Sequence, residues 1–144
     1  MKSPRIEELA YEIGQREAGR ARQRQAARRL AQRLRSQVLA AVATFVEAAA
    51  ASGAPHLDLI HVEPVEPDDK SVRAFQFRIT RGRHEGIVVS KDRGEVMLVG
   101  PFRRGGMEGP CLPFHLEGSG KLPVRLSEAL ESFLIRIIQQ AYAK

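Results

Sequence analysis

Residues 73–80 read RAFQFRIT, and their alternation decides the fold class. Phe75, Phe77 and Ile79 fall on one side of an extended chain, with Gln76, Arg78 and Thr80 on the other. Strand side chains alternate with a period of two, so this is a strand with one apolar and one polar face. Downstream, GIVVSK (86–91) and EVMLVG (95–100) are joined by Asp92-Arg93-Gly94, a short hairpin turn. Upstream, HLDLIHVEPV (56–65) reads as a further strand; its Leu59-Ile60 pair breaks alternation and points to a bulge or burial on both faces. EPVEPDDKS (63–71) supplies a turn. The expected sheet is an antiparallel meander of four strands in sequence order.

Beyond the strands the period changes. Ser127 is expected to cap a helix whose apolar residues, Leu130, Phe133, Leu134, Ile137, Ile138 and Ala141, fall on one face. Residues 100–121, GPFRRGGMEGPCLPFHLEGSGK, are rich in Gly and Pro and are expected to form a long loop, with a short strand near 113–117. LPVRL (122–126) is a candidate fifth strand.

At the other end, Ser3-Pro4 suits a helix start, with a hydroxyl at the N-cap and Pro at the first helical position. Glu7 and Glu8 follow where the positive end of the dipole favours acid. Ile6, Leu9, Ala10 and Ile13 share a face. Gly14 and Gly19 each weaken a helix by about 1 kcal/mol relative to Ala, so a break or kink is expected near them. From Arg20 a helical pattern runs to about Ser52, where Gly53 and Pro55 end it. Its stripe is Leu30, Leu34, Val38, Val42, Phe45 and Ala49, broadened by Leu39 and Val46. The spacing averages about 3.8 residues, unlike the 3.5 of a left-handed coiled coil. Residues 38–51 are therefore expected to be buried against the core, with the Arg-rich part before them projecting.

These patterns give an α+β fold: a long N-terminal helix, a four- to five-stranded antiparallel meander, and a C-terminal amphipathic helix packed on the same face. Residues 1–19 read as an N-terminal helical segment. Residues 20–144 read as one domain with an Arg-rich helical extension at 20–35.

At 144 residues the chain is long enough for one real core. Its charge is concentrated. Residues 14–35 hold eight arginines against Glu17, a net of +7, while the whole chain is +6. Cys111 is the one cysteine, so no intrachain disulfide framework exists. The first residues lack the apolar core of a secretory signal, and the most apolar run, 38–51, is short for a bilayer and interrupted by Glu47. A soluble, cytoplasmic protein with no membrane partner is expected.

Little in the chain looks like catalysis. His56 and His61, five apart on an expected strand, face opposite ways and cannot share a metal, and His84 lies in a turn. Cys111 and His115 could meet across a bent loop, but no second cysteine or acid completes a nucleophile pair or metal site. EGSGKL (117–122) fails as a phosphate loop: His115 stands where the pattern needs Gly, and Leu122 where it needs a hydroxyl. Asp68-Asp69 lacks the ligand spacing of a calcium loop. No catalytic residue, metal or cofactor is expected, and the chain does not read as an enzyme.

The arginine run is the remaining signal. Arg16, Arg20, Arg24 and Arg28 recur every four residues, and Arg22, Arg29, Arg33 and Arg35 widen the charged surface. Like charges at that spacing cost a few tenths of a kcal/mol per pair, so the array does not serve the helix's own stability. A second basic group, Arg78, Arg81, Arg83, Arg103 and Arg104, is expected along one side of the sheet. A solvated helix face with Gln and Ala as filler is the plain alternative. Two binding roles compete with it. In the first, the projecting helix packs on a partner, most simply a second copy, with Leu30 and Leu34 continuing the stripe outward and the arginines facing acidic groups. In the second, the arginines grip nucleic acid without reading sequence; six phosphate contacts would give a log–log salt slope of about −5.

Overall fold

The computed structural model describes residues 3–54, 60–68, 71–107, 109–116 and 122–142. The elements, in order, are α1 (Pro4–Ala51), β1 (His61–Val62), β2 (Glu66–Asp68), β3 (Ser71–Arg81), β4 (His84–Lys91), β5 (Glu95–Arg103), β6 (Cys111–His115) and α2 (Val124–Tyr142). This is the expected α+β class. His56, Pro55, Asp69 and residues 117–121 of the Gly-rich stretch lie outside the described residues.

The meander β3-β4-β5-β6 is antiparallel throughout, and β1 and β2 pair in tandem along the outer side of β3. Two turns set its register. Gly82 and Arg83 link β3 to β4, with Gly82 at φ 58°. Residues 92–94 link β4 to β5 as the Asp-Arg-Gly signal requires, with Gly94 at φ 77°. Both angles lie in the left-handed region that glycine enters without a Cβ clash.

Three expectations in this region are corrected. The stretch assigned to a turn contains β2, where Glu66 pairs with Gln76 and Pro67 with Phe75; proline is tolerated because this strand is outermost. The expected loop starts later than the sequence suggests, because β5 runs on to Arg103; the short strand expected near 113–117 is β6, Cys111–His115, with Pro113 opposite Met97. LPVRL is no strand: α2 begins at Val124, and the Pro123 carbonyl accepts the amides of Leu126 and Ser127. Pro123 thus takes the N-cap place, four residues before the expected Ser127 cap, and its lack of an N–H costs nothing there.

Both helices lie on one face of the sheet. There Phe77, Ile79, Val88, Val96 and Leu98 meet Leu34 and Val38 of α1 and Leu126, Leu130, Phe133, Leu134 and Ile137 of α2. Gly86 lets α2 come close: a Cβ at that position would collide with the Phe133 ring and lie 2.7 Å from Ile137 Cδ1. At the far end of α2, the buried Arg81 donates from Nη1 to the Ile138 carbonyl at 3.4 Å, meeting the negative end of the helix with a cation. The opposite face of the sheet holds a second apolar cluster, Ala74, Ile87, Val89, Val99 and Phe102. The strands are thus apolar on both sides around β4, not on one as the alternation in β3 implied.

The N-terminal helix differs most from expectation. It is one α-helix of 48 residues, uninterrupted at Gly14 and Gly19. Glycine lowers helix propensity but keeps its N–H, so the hydrogen-bond ladder survives where proline would break it. The buried residues are Ala27, Ala31, Leu34 and Val38. The part embedded in the domain therefore centres on the arginine tract, while Val42, Phe45 and Ala49 are only half-buried. Two alanines explain the shift. Ala27 and Ala31 let the helix backbone press onto Phe75 and Val65, so arginines on the other sides of the same turns stay wet while the helix is anchored. α1 is also the one helix among the described residues long and apolar enough to cross a membrane: an 18-residue window reaches a mean hydropathy of 1.3, with 17% of it buried.

Candidate interaction surface

Residues 4–26 of α1 touch the domain nowhere deeply; all of them are exposed except Gly19, which is half-buried. At 1.5 Å per residue this arm is about 34 Å long. Its apolar side chains are unusually open: Ile6 is 56% exposed, Leu9 55%, Tyr11 70% and Ile13 48%. Eighteen residues make five helical turns, so Leu9 lies on the line of Ala27, and Ile13 on the line of Ala31. Ala27 and Ala31 face Phe75. Ile6, Leu9 and Ile13 therefore point to the side on which the sheet lies, but beyond where the sheet ends.

The predicted contact residues separate into three groups. Arg16, Arg20, Arg22 and Arg24 stand exposed on the free arm, with Arg20 Nη1 3.2 Å from Glu17 Oε1 one turn back. Arg28, Arg29 and Arg33 are exposed along the anchored section. Arg35 is engaged inside the molecule: its Nε donates to the Glu63 carbonyl at 2.7 Å and its Nη2 to the Val62 carbonyl at 3.0 Å. The two leucines offered as a seam for a partner are not available. Leu34 is wholly buried in the main core, and Leu30 is half-buried against it. The seam that is open lies earlier, at Ile6, Leu9 and Ile13, and its signal in the sequence is the helical face these three share.

Behind the arm, α1 and α2 enclose a groove of about 470 Å³ lined by Val38, Ala41, Phe45, Leu130, Leu134 and Ile138. Leu39, Val46 and Ile135 are exposed on the same two helices. This is the apolar surface left by the half-buried end of α1.

The second basic group does not form. Arg81 lies on the helix side of the sheet, beneath α2. On the other side, Arg78 Nη1 is 3.1 Å from the largely buried Glu85 Oε1, and Arg104 Nε is 3.9 Å from Glu85 Oε2. With Glu63, Glu66 and Thr80 these groups line a depression of about 340 Å³. Three carboxylates offset the two guanidiniums, which removes the excess charge that a phosphate would need. Cys111 and His115, which a bent loop could have brought together, stand four apart on β6, about 13 Å along one strand, and both are exposed. Among the described residues no cluster of three or more His, Cys, Asp or Glu could hold a metal ion. No family model, curated protein or solved structure matches the chain.

Proposed function

We propose that this chain is a non-enzymatic protein-interaction module that self-associates through its projecting N-terminal helix. The observation that carries this reading is the arm itself: about six turns of helix beyond the domain, with Ile6, Leu9, Tyr11 and Ile13 each about half exposed or more. Isolated helical segments are marginal in water, and an amphipathic face normally draws its stability from packing. A second copy supplies such a surface at no cost in sequence, and two-fold pairing closes the assembly.

Replacing Ile6, Leu9 and Ile13 together by Asp is expected to convert a dimer to a monomer in multi-angle light scattering at micromolar concentration. The melting of the domain should change little, because these positions lie outside its core. A wild-type chain that stays monomeric up to about 100 µM, roughly the weak end for functional pairs, would remove the reading.

A second reading rests on Arg22, Arg29 and Arg33. They are exposed and sit on the side of α1 turned away from the sheet, so a polyanion could lie along them without displacing the domain. In fluorescence anisotropy with labelled duplex and single-stranded oligonucleotides, this reading expects affinity to fall with salt at a log–log slope of about −3 or steeper for three or more phosphate contacts. Substituting Glu at all three positions should abolish the response. A flat salt dependence rejects nucleic acid as the partner.

A further inference from the structure

We propose that the partner of the arm is the arm of a second copy, laid antiparallel along residues 4–26, with the acidic tip of each against the arginine-rich half of the other. This rests on the self-association reading above and specifies its geometry. The arm is electrically two-ended. Residues 4–15 carry Glu7, Glu8 and Glu12 against Arg5, a net of −2. Residues 16–26 carry Arg16, Arg20, Arg22 and Arg24 against Glu17, a net of +3. A parallel pair would set like charge on like charge along its whole length; an antiparallel pair sets opposite charges together in both halves.

The domain fixes the register. A second helix laid on the Ile6, Leu9 and Ile13 side occupies the space beside the sheet, so its tip is stopped where Ala27 meets Phe75 and Val65. The arms can then overlap only over their exposed lengths. The two-fold axis falls near Gln15, and facing residues have numbers that add to about 30. In that register Leu9 comes level with the partner's Ala21 and packs between the aliphatic stems of its Arg20 and Arg24, which share the seam; the two Ile13 side chains meet beside the axis, and Ile6 lies on the stem of the partner's Arg24. Glu7 comes level with the same Arg24, and Glu12 with the partner's Arg16. Sliding each arm further, onto the groove between α1 and α2, would instead bring Arg20, Arg22 and Arg24 level with Arg28 and Arg29 of the other copy. Repulsion there disfavours the longer overlap even though the groove is apolar.

Two measurements on the full chain test this, in a Cys111→Ser background that frees the labelling chemistry. With a nitroxide on Gln15→Cys, antiparallel arms set the two labels level with each other along the helix axis; on Gln25→Cys they are separated by about 30 Å along the axis alone. Equal distances at the two sites would overturn the proposal in favour of parallel arms. Separately, Glu7→Lys, Glu8→Lys and Glu12→Lys together should weaken self-association at low salt on the order of tenfold. Adding Arg16→Glu, Arg20→Glu and Arg24→Glu to the same chain should restore it. A dimer that ignores both sets of changes overturns the antiparallel register while leaving self-association standing. A chain that is monomeric throughout, or that associates only when an oligonucleotide is added, overturns both.

Discussion

Leu34→Asp is expected to abolish the cooperative melt of the domain, whereas Leu9→Asp, on the same helix, leaves it within a few degrees of wild type. Leu34 has no exposed surface and packs among Val38, Phe77 and the α2 side chains. Truncating such a leucine to Ala costs about 2–5 kcal/mol, and a buried, unpartnered carboxylate adds a penalty of comparable size or larger. The sum rivals the about 5–15 kcal/mol that holds a whole domain folded. Leu9 is more than half exposed, so the same change there should fall within about 0.5 kcal/mol. Thermal unfolding followed by circular dichroism separates the two. A Leu34→Asp chain with a sharp transition near the wild-type temperature would mean that α1 is not anchored at its arginine tract.

Gly86→Val is the second large effect expected. Glycine in a strand usually gives up stability, and replacing it where the backbone allows should gain about 0.4–1 kcal/mol. Here the sign is expected to reverse. A Cβ at this position would strike the Phe133 ring and crowd Ile137 Cδ1 at 2.7 Å, so α2 must move off the sheet. Overpacking of this kind costs about 1–3 kcal/mol or more, and the two γ-methyls of valine put the change at the upper end. Urea titration of Gly86→Val, Phe133→Leu and the double variant gives the coupling directly. If the ring is the obstacle, the double variant is more stable than the sum of the single changes predicts, by about 0.5–3 kcal/mol. Strict additivity would place the cost somewhere other than the α2 contact.

Much of this architecture is written in short-range pattern. Phe75, Phe77 and Ile79 mark the helix-covered face of β3, Asp92-Arg93-Gly94 marks a hairpin, and the stripe from Leu130 to Ile138 marks the buried side of α2. Periodicity suffices at these places because the large apolar side chains are themselves the packing surface. It fails where packing is made by small residues. Ala27 and Ala31 look like filler between arginines, yet they are the close contact with Phe75, and missing them moves the anchored section of α1 by about a dozen residues. It fails again where a residue's role depends on distant chain. Nothing local says that Arg81 will end beneath the last turns of α2, or that Glu66 and Pro67 will add to the side of β3. The candidate surface is legible as a charge cluster but not as a place: the sequence shows eight arginines, and only the fold separates those on the free arm from Arg35, which is engaged within the domain.

That engagement also covers part of one edge of the sheet. An outermost strand offers a row of unpaired carbonyls and amides that another chain can extend. On one flank of this sheet, Arg35 already occupies the carbonyls of Val62 and Glu63, and Pro67 next to them has no amide to lend. On the opposite flank, Pro113 interrupts the donor row of β6 in the same way. Both ends of the ladder are therefore poor templates for cross-β growth, and a strand added from another chain would find its hydrogen bonds incomplete on either flank.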